Sequence, residues 1–354
     1  MNRPHLDFAF NLHHELPADG NLIWSPYSVA SALGVASAGA RGRTHDELAA
    51  VLVPGGDLEE AAALLAAAAT GEGADLAVAN SLWMREGLVF HEAYQQKVLA
   101  WPGGGLRVAD FEHDPEGARQ KINGEVEDVT RGLITNLVPA GAIHALTTAA
   151  IVNALYLKAA WSSPFDERAT APSAFHAPSG IRDVPTMRLE ERFRYASAAG
   201  WRSVSLPAEG GLVVDVLLPE TDDAALTADV VTALQDAASA QKVDVMMPRF
   251  RVAADYVLTD TLARLGISSA FSDGADFSGI SDTAFAIDEV MHKAVLDVDE
   301  QGFEGAAATA VMMKLTSFDG GTAPVRFYVD RPFHVLARHR RSGAIYFMAR
   351  VEQP

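Results

Sequence analysis

The sequence contains no cysteine. Disulfides, thiolate zinc sites and cysteine nucleophiles are thereby excluded, although the absence assigns no compartment. Long apolar runs are missing too, since no stretch reaches the roughly 18 residues that suggest a membrane-spanning helix. Basic residues are scarce: 28 Lys and Arg face 46 Asp and Glu, a net charge of −18 that argues against nucleic acid or anionic membranes as partners. Catalytic motifs are also lacking. There is no G-x-S-x-G elbow, no H-E-x-x-H and no P-loop, and GEGADL and PGGGL fit neither nucleotide fingerprint. His13-His14-Glu15 reads as the solvated face of a surface helix, and Glu190-Glu191 and Asp222-Asp223 read as solubilising turns. No metal and no cofactor is expected. The start, MNRPHLDFAFNLHHEL, is an amphipathic helix without a signal-peptide core. A complete chain would therefore stay in the cytoplasm, and one trimmed of a leader would be extracellular.

What is present is enough for a large core. A chain of 354 residues buries about three quarters of its unfolded surface, and no linker or repeat divides it, so residues 1–354 read as a single unit. The first half is mostly helical. Ser25-Pro26-Tyr27-Ser28 is a helix start, with Ser25 as N-cap and Pro26 in the first turn, followed by the small-residue run VASALGVASAGA. Residues 45–53 and 58–70, HEAYQQKVLAW and DPEGARQKINGEVEDVT are further helices, and LAVANSLWM is a buried strand. The run from Thr147 to Trp161 has no clean helical period, and its Ile, Val and Tyr content favours a central strand. The second half is rich in strands, among them KVDVMMPRFRV and AFAIDEVMHKAVLDVD, interrupted by a helix at DYVLTDTLARLG that ends on Gly266. Helices first and strands later give an α+β class.

One stretch resists this reading. DEQGFEGAAATAVMM, from Asp299 to Met313, lies between two strand-like segments. It is too apolar for an ordinary loop and too thin in side chains for an ordinary core strand. By composition alone it suits an exposed Ala-rich helix as well as an extended segment.

Several stretches, in order and spanning nearly the whole chain, resemble the serpin family of serine protease inhibitors. They are NLIWSPYSVASALGVASAGARGRTHDEL, VNALYLKAAWSSPFD, MPRF, LARLGISSAFSDGADFSGIS, HKAVLDVDEQGFEGAAAT and DRPFHVLARHRRSGAIYFMARV. The lack of cysteine, the short N-terminus and the acidic balance look like a prokaryotic member.

The resemblance implies about nine helices, three β-sheets and an exposed reactive-centre loop at 301–326. A serine protease would cleave that loop and be carried, as a covalent acyl complex, while the loop inserts into the central sheet. It also implies a monomer that is an inhibitor rather than an enzyme, with no cofactor. Glu300 marks the end of a central strand, and the hinge covers 301–309. Its members here are Gly302, Phe303, Glu304, Gly305, Ala306, Ala307, Ala308 and Thr309. The reactive bond falls at Thr316-Ser317, which suits an elastase-, chymotrypsin- or subtilisin-like target. Beneath the sheet, a polar "shutter" maps onto Ser25, Ser28, Asn153 and His292. A "breach" at the insertion point maps onto Trp161, Arg249 and Glu300, with an Arg249–Glu300 ion pair expected. Phe303 departs from the pattern, because inhibitory relatives carry Thr or Ser at that hinge position. The alternative is a non-inhibitory member that serves as a protease substrate or as a binding or storage protein.

Overall fold

The computed structural model describes residues 2–69, 74–221, 224–303 and 323–354. Its helices are α1 (Arg3–Glu15), α2 (Pro26–Gly39), α3 (Gly42–Leu52), α4 (Leu58–Ala68), α5 (Glu92–Val98), α6 (Pro115–Val129), α7 (Ala228–Ala237) and α8 (Thr259–Arg264). The strands begin with β1 (Leu22–Trp24), β2 (Ala74–Arg85), β3 (Gly104–Ala109), β4 (Ala149–Ala160) and β5 (Ala171–Ala177). β6 (Gly180–Ala198), β7 (Trp201–Ala208), β8 (Leu212–Pro219), β9 (Ser239–Pro248) and β10 (Phe250–Val257) follow. β11 (Glu289–Val298), β12 (Gly302–Phe303), β13 (Val325–Tyr328), β14 (Phe333–His339) and β15 (Ile345–Val351) complete the set.

Six strands form one sheet in the order β10-β11-β12-β4-β2-β3. The other sheet runs β1-β15-β14-β8-β7-β6-β9-β13, with β5 attached to β6. Three sheets are expected from the sequence, but hydrogen-bonded paths among the described residues give two. The reason is β6: its 19 residues pair in turn with β5, β9 and β7, so two layers share one ladder.

The run around β4 is continuously apolar because both of its faces are covered. Ile151 and Leu155 join the main core with α2, while Val152 and Ala154 join a second core with Ile122 and Val126 of α6. The small residues of α2 serve close packing. A Cβ on Gly34 would lie 2.3 Å from the Trp101 ring, so only glycine permits that approach.

Some local readings shift. KVDVMMPRFRV is not one strand: β9 ends at Pro248, and Phe250 starts β10 in the other sheet. The helix at DYVLTDTLARLG shrinks to six residues, because Asp255, Tyr256 and Val257 continue β10 in register with β11. Glu190-Glu191 lies in mid-β6 rather than in a turn, with Glu190 paired to Lys242 at 2.7 Å. Asp222-Asp223 lies outside the described residues.

Candidate functional site

β4 and β11 run parallel and are directly paired from Ala150–Glu289 to Ala154–Lys293. There the direct pairing stops. Beyond it the strands diverge, and β12 occupies the gap, with Phe303 opposite Ala159 on one side and Val298 on the other. The six-stranded sheet is thus closed at one end and open at the other, and the backbone at Gly302 and Phe303 already sits in the opening.

At the closed part, His292, Asn153 and Asn80 stand side by side across β11, β4 and β2. All three are buried, as are Ser25 and Ser28 at the start of α2. Ser25 caps α2 by accepting from the Ser28 amide at 3.1 Å, and its own amide donates to His292 Nε2 at 3.0 Å. His292 Nδ1 donates to Asn153 Oδ1. Asn153 Nδ2 donates to Ser28 Oγ at 2.6 Å and to Asn80 Oδ1, which also accepts from Ser28 Oγ at 3.1 Å. Because Nε2 must accept, the imidazole is neutral, and burial pushes its pKa down to about 3. The four sequence-expected polar residues therefore meet in one network. Asn80 was missed; it is one of two adjacent buried polar residues, with Ser81, in the apolar part of β2.

At the open end, Glu300 is buried and receives Arg249 Nε at 2.6 Å and the Thr170 hydroxyl. Burial pushes its carboxyl up, but the hydrogen bonds from Arg249 and Thr170 outweigh that and hold it below its ordinary value. Trp161 binds the turn that follows β11: its indole donates to the Asp299 carbonyl at 2.8 Å and its amide to the Gln301 carbonyl at 2.9 Å. The Asp299 carboxylate accepts the amides of Gln301 and Gly302 and so fixes the reversal into β12. Trp161, Arg249 and Glu300 are therefore brought together, with Thr170 and Asp299 as partners that sequence reasoning missed. Glu304, Gly305, Ala306, Ala307, Ala308 and Thr309, and the expected bond at Thr316-Ser317, lie outside the described residues.

A sheet open at one end, with the next segment entering it and a long connection leading on to a different sheet, matches the comparison with known sequences. The sequence model of the family "Serpin (serine protease inhibitor)" matches residues 4–354. The chain belongs to the serpin family. A serpin-like protein of Thermococcus kodakarensis is 35% identical over 361 residues, covering 98% of this chain and 84% of that one. Archaeal serpin-like proteins of Methanosarcina are also similar, in keeping with a prokaryotic serpin. Among solved structures, Serpin48 of the insect Tenebrio molitor aligns with a TM-score of 0.88 at 29% identity, over 99% of this chain and 97% of that one. Uncleaved ovalbumin aligns with a TM-score of 0.87 at 26% identity, over 99% of both chains. Serpins are in general protease inhibitors rather than catalysts, and this serpin has the family's α+β fold.

Proposed function

We propose that this serpin inhibits a serine-type endopeptidase as a suicide substrate. The protease's serine attacks the Thr316 carbonyl, the Ser317 amine leaves, and the resulting ester ties the protease to residue 316. The freed segment then enters the sheet between β4 and β11, carrying the acyl-enzyme with it. The observation that supports this most is the seating of Gly302 and Phe303 at the open end of that gap, in line with the direction of insertion. In this reading the polar group at Ser25, Ser28, Asn80, Asn153 and His292 is the closure that must part. The Trp161–Arg249–Glu300 group holds the turn from which insertion starts.

A second reading is a non-inhibitory member acting as a protease substrate or as a binding or storage protein. Phe303 favours it, as a large residue where small ones ease entry. A structure of human thyroxine-binding globulin with thyroxine is also among the similar ones, with a TM-score of 0.88 at 25% identity. Mixing the protein with chymotrypsin-, elastase- and subtilisin-type proteases separates the two. Inhibition yields a complex that survives SDS and a released peptide beginning at Ser317. Cleavage with no such complex at any protease ratio overturns the inhibitory reading.

A further inference from the structure

Of the pair His13-His14, only His14 lies on the solvated face that the sequence suggests. His13 is buried, and its ring lies 5.9 Å from that of His334 on β14. His334 is partly exposed, but its Nδ1, like that of His13, is buried without a hydrogen-bond partner. Trp201 packs edge-on against His334 at 5.6 Å. Two turns back on α1, His5 is also buried, and its Nε2 accepts the amide of Ile345 at the start of β15 at 3.0 Å. Three histidines thus fasten the N-terminal helix to the β14–β15 hairpin, and each does so only while uncharged. A proton on His5 Nε2 removes the acceptor for Ile345. A proton on His13 or His334 places an imidazolium in a site with no anion to receive it.

The surrounding charges make that last point firm. Arg350, opposite His334 in the β14–β15 ladder, faces both rings and is engaged with the carbonyls of Pro17 and Gly20 and with Glu352. His14 bonds the Leu226 carbonyl. On α1, Asp7 is held by Arg3 and Glu15 by Arg264 of α8; on α7, Asp229 is held by Arg3. On α3, Glu47 is held by Arg43, and on β8, Asp215 is held by Arg338. Asp57 and Glu60 line the cleft beside His5 without bonding it, and Asp57 caps α4. No carboxylate among the described residues bonds His5, His13 or His334.

We propose that the docking of α1 on the β14–β15 hairpin is an acid-operated latch, closed only while His5, His13 and His334 are all neutral. Its release would expose Leu6, Phe8, Phe10 and Leu12, which are buried against the body of the molecule. Burial pushes His5 down to about 4 and His334 down to about 3. His13 is held well below its ordinary value, by burial first and then by His334, His14 and Arg350. In the released helix His5 and His13 regain an ordinary pKa of about 6.5, so opening becomes about tenfold easier per histidine between pH 7.5 and 5.5. His334 stays on β14 beside Trp201, so the two helix histidines together give about a hundredfold.

Hydrogen–deuterium exchange on the full chain tests this, with rates corrected for the intrinsic pH dependence of exchange. The peptide covering 3–15 and the Ile345 amide should lose protection about a hundredfold between pH 7.5 and 5.5, while β4, β2 and the rest of the β14–β15 ladder keep theirs. The double variant His13→Gln/His334→Gln should show only about a tenfold loss in α1, from His5. Unchanged protection of α1 at pH 5.5, an equal loss in the variant, or a loss shared by the whole chain would each overturn the latch. Should the variant not fold, ring-proton titration of the wild type decides the matter. The rings of His13 and His334 must stay neutral in the docked form at pH 5.5, and their titration there near pH 6.5 would refute the proposal.

Discussion

Substituting Gly302 by alanine probes the insertion point directly. Gly302 has φ +154°, where side chains are disfavoured, and a Cβ built there lies 2.1 Å from the Ala159 carbonyl oxygen and 2.8 Å from Ala160 Cα. Ordinary contact begins at 3.4 Å, so the backbone of β4 would have to retreat by more than 1 Å, and no rotamer can relieve a backbone clash. The turn bonds that the Asp299 amide donates to the Gly302 carbonyl at 3.0 Å and the Trp161 amide to the Gln301 carbonyl at 2.9 Å would be strained or lost. Two such bonds contribute about 1 kcal/mol each, and the backbone strain adds about 1–3 kcal/mol, for about 3–5 kcal/mol in all. The intact variant escapes the clash by leaving β12 unseated, so insertion through this register must take up the backbone strain of about 1–3 kcal/mol again, and Gly302→Ala slows it by about one to two orders of magnitude, while hydrolysis of the acyl-enzyme proceeds unhindered. The assay is stoichiometry of inhibition together with the fraction of SDS-stable complex. The variant should be cleaved as a substrate and form little complex. Because the change is local, the intact variant should still fold and be cleaved at the same bond. An unchanged stoichiometry would refute the claim that the segment enters past Ala159.

Other consequences follow from the same geometry. Arg249→Met takes the charged partner from the buried Glu300 carboxylate and leaves it the Thr170 hydroxyl. Since Arg249 is half exposed, the loss is about 1–3 kcal/mol, read as a fall in melting temperature of about 1–4 °C. His292 is held neutral in the fold, with a pKa of about 3, and regains about 6.5 when unfolded. Its contribution is therefore complete above pH 6.5 and declines as pH falls toward 3, by about 1.4 kcal/mol per pH unit. In denaturant titrations between pH 6 and 4, His292→Gln should take up about one proton fewer on unfolding. Phe303→Thr tests the one bulky hinge residue. If the gap accommodates the ring, the stoichiometry of inhibition changes less than twofold, whereas a large improvement would show that Phe303 drives the chain toward substrate behaviour.

Much of the frame was legible because strong local signals agree with the tertiary outcome. Ser25 and Pro26 mark the start of α2 where the structure places it, and the aperiodic run at β4 is a strand because α2 and α6 cover its two faces. The family resemblance named Ser25, Ser28, Asn153 and His292, which converge on one network. Asn80 escaped notice because its meaning depends on the β2–β4 register, which places it opposite Asn153 and which no local pattern encodes. Thr170 and Asp299 were missed for the same reason, since their partners lie far away in sequence or in a turn that forms only once β12 is seated. His13 was misread because one exposed neighbour, His14, shares its local pattern; the face that α1 buries is decided by the β14–β15 hairpin more than 300 residues away.

If the chain inhibits as proposed, its intact form is kinetically held short of a more stable form in which the segment after Phe303 completes the sheet between β4 and β11. Inserting about ten to fifteen residues, at about 0.5–1.5 kcal/mol per hydrogen bond, stabilises the cleaved form by about 5–22 kcal/mol. With an unfolding entropy of about 2.1 cal/mol/K per residue, that is a rise of about 7–30 °C in melting temperature. The most direct measurement is to cleave the loop with a catalytic amount of protease, purify the nicked protein and compare its calorimetric melting with that of the intact chain. The nicked protein should melt higher by that amount, and melting at or below the temperature of the intact chain would rule the insertion out.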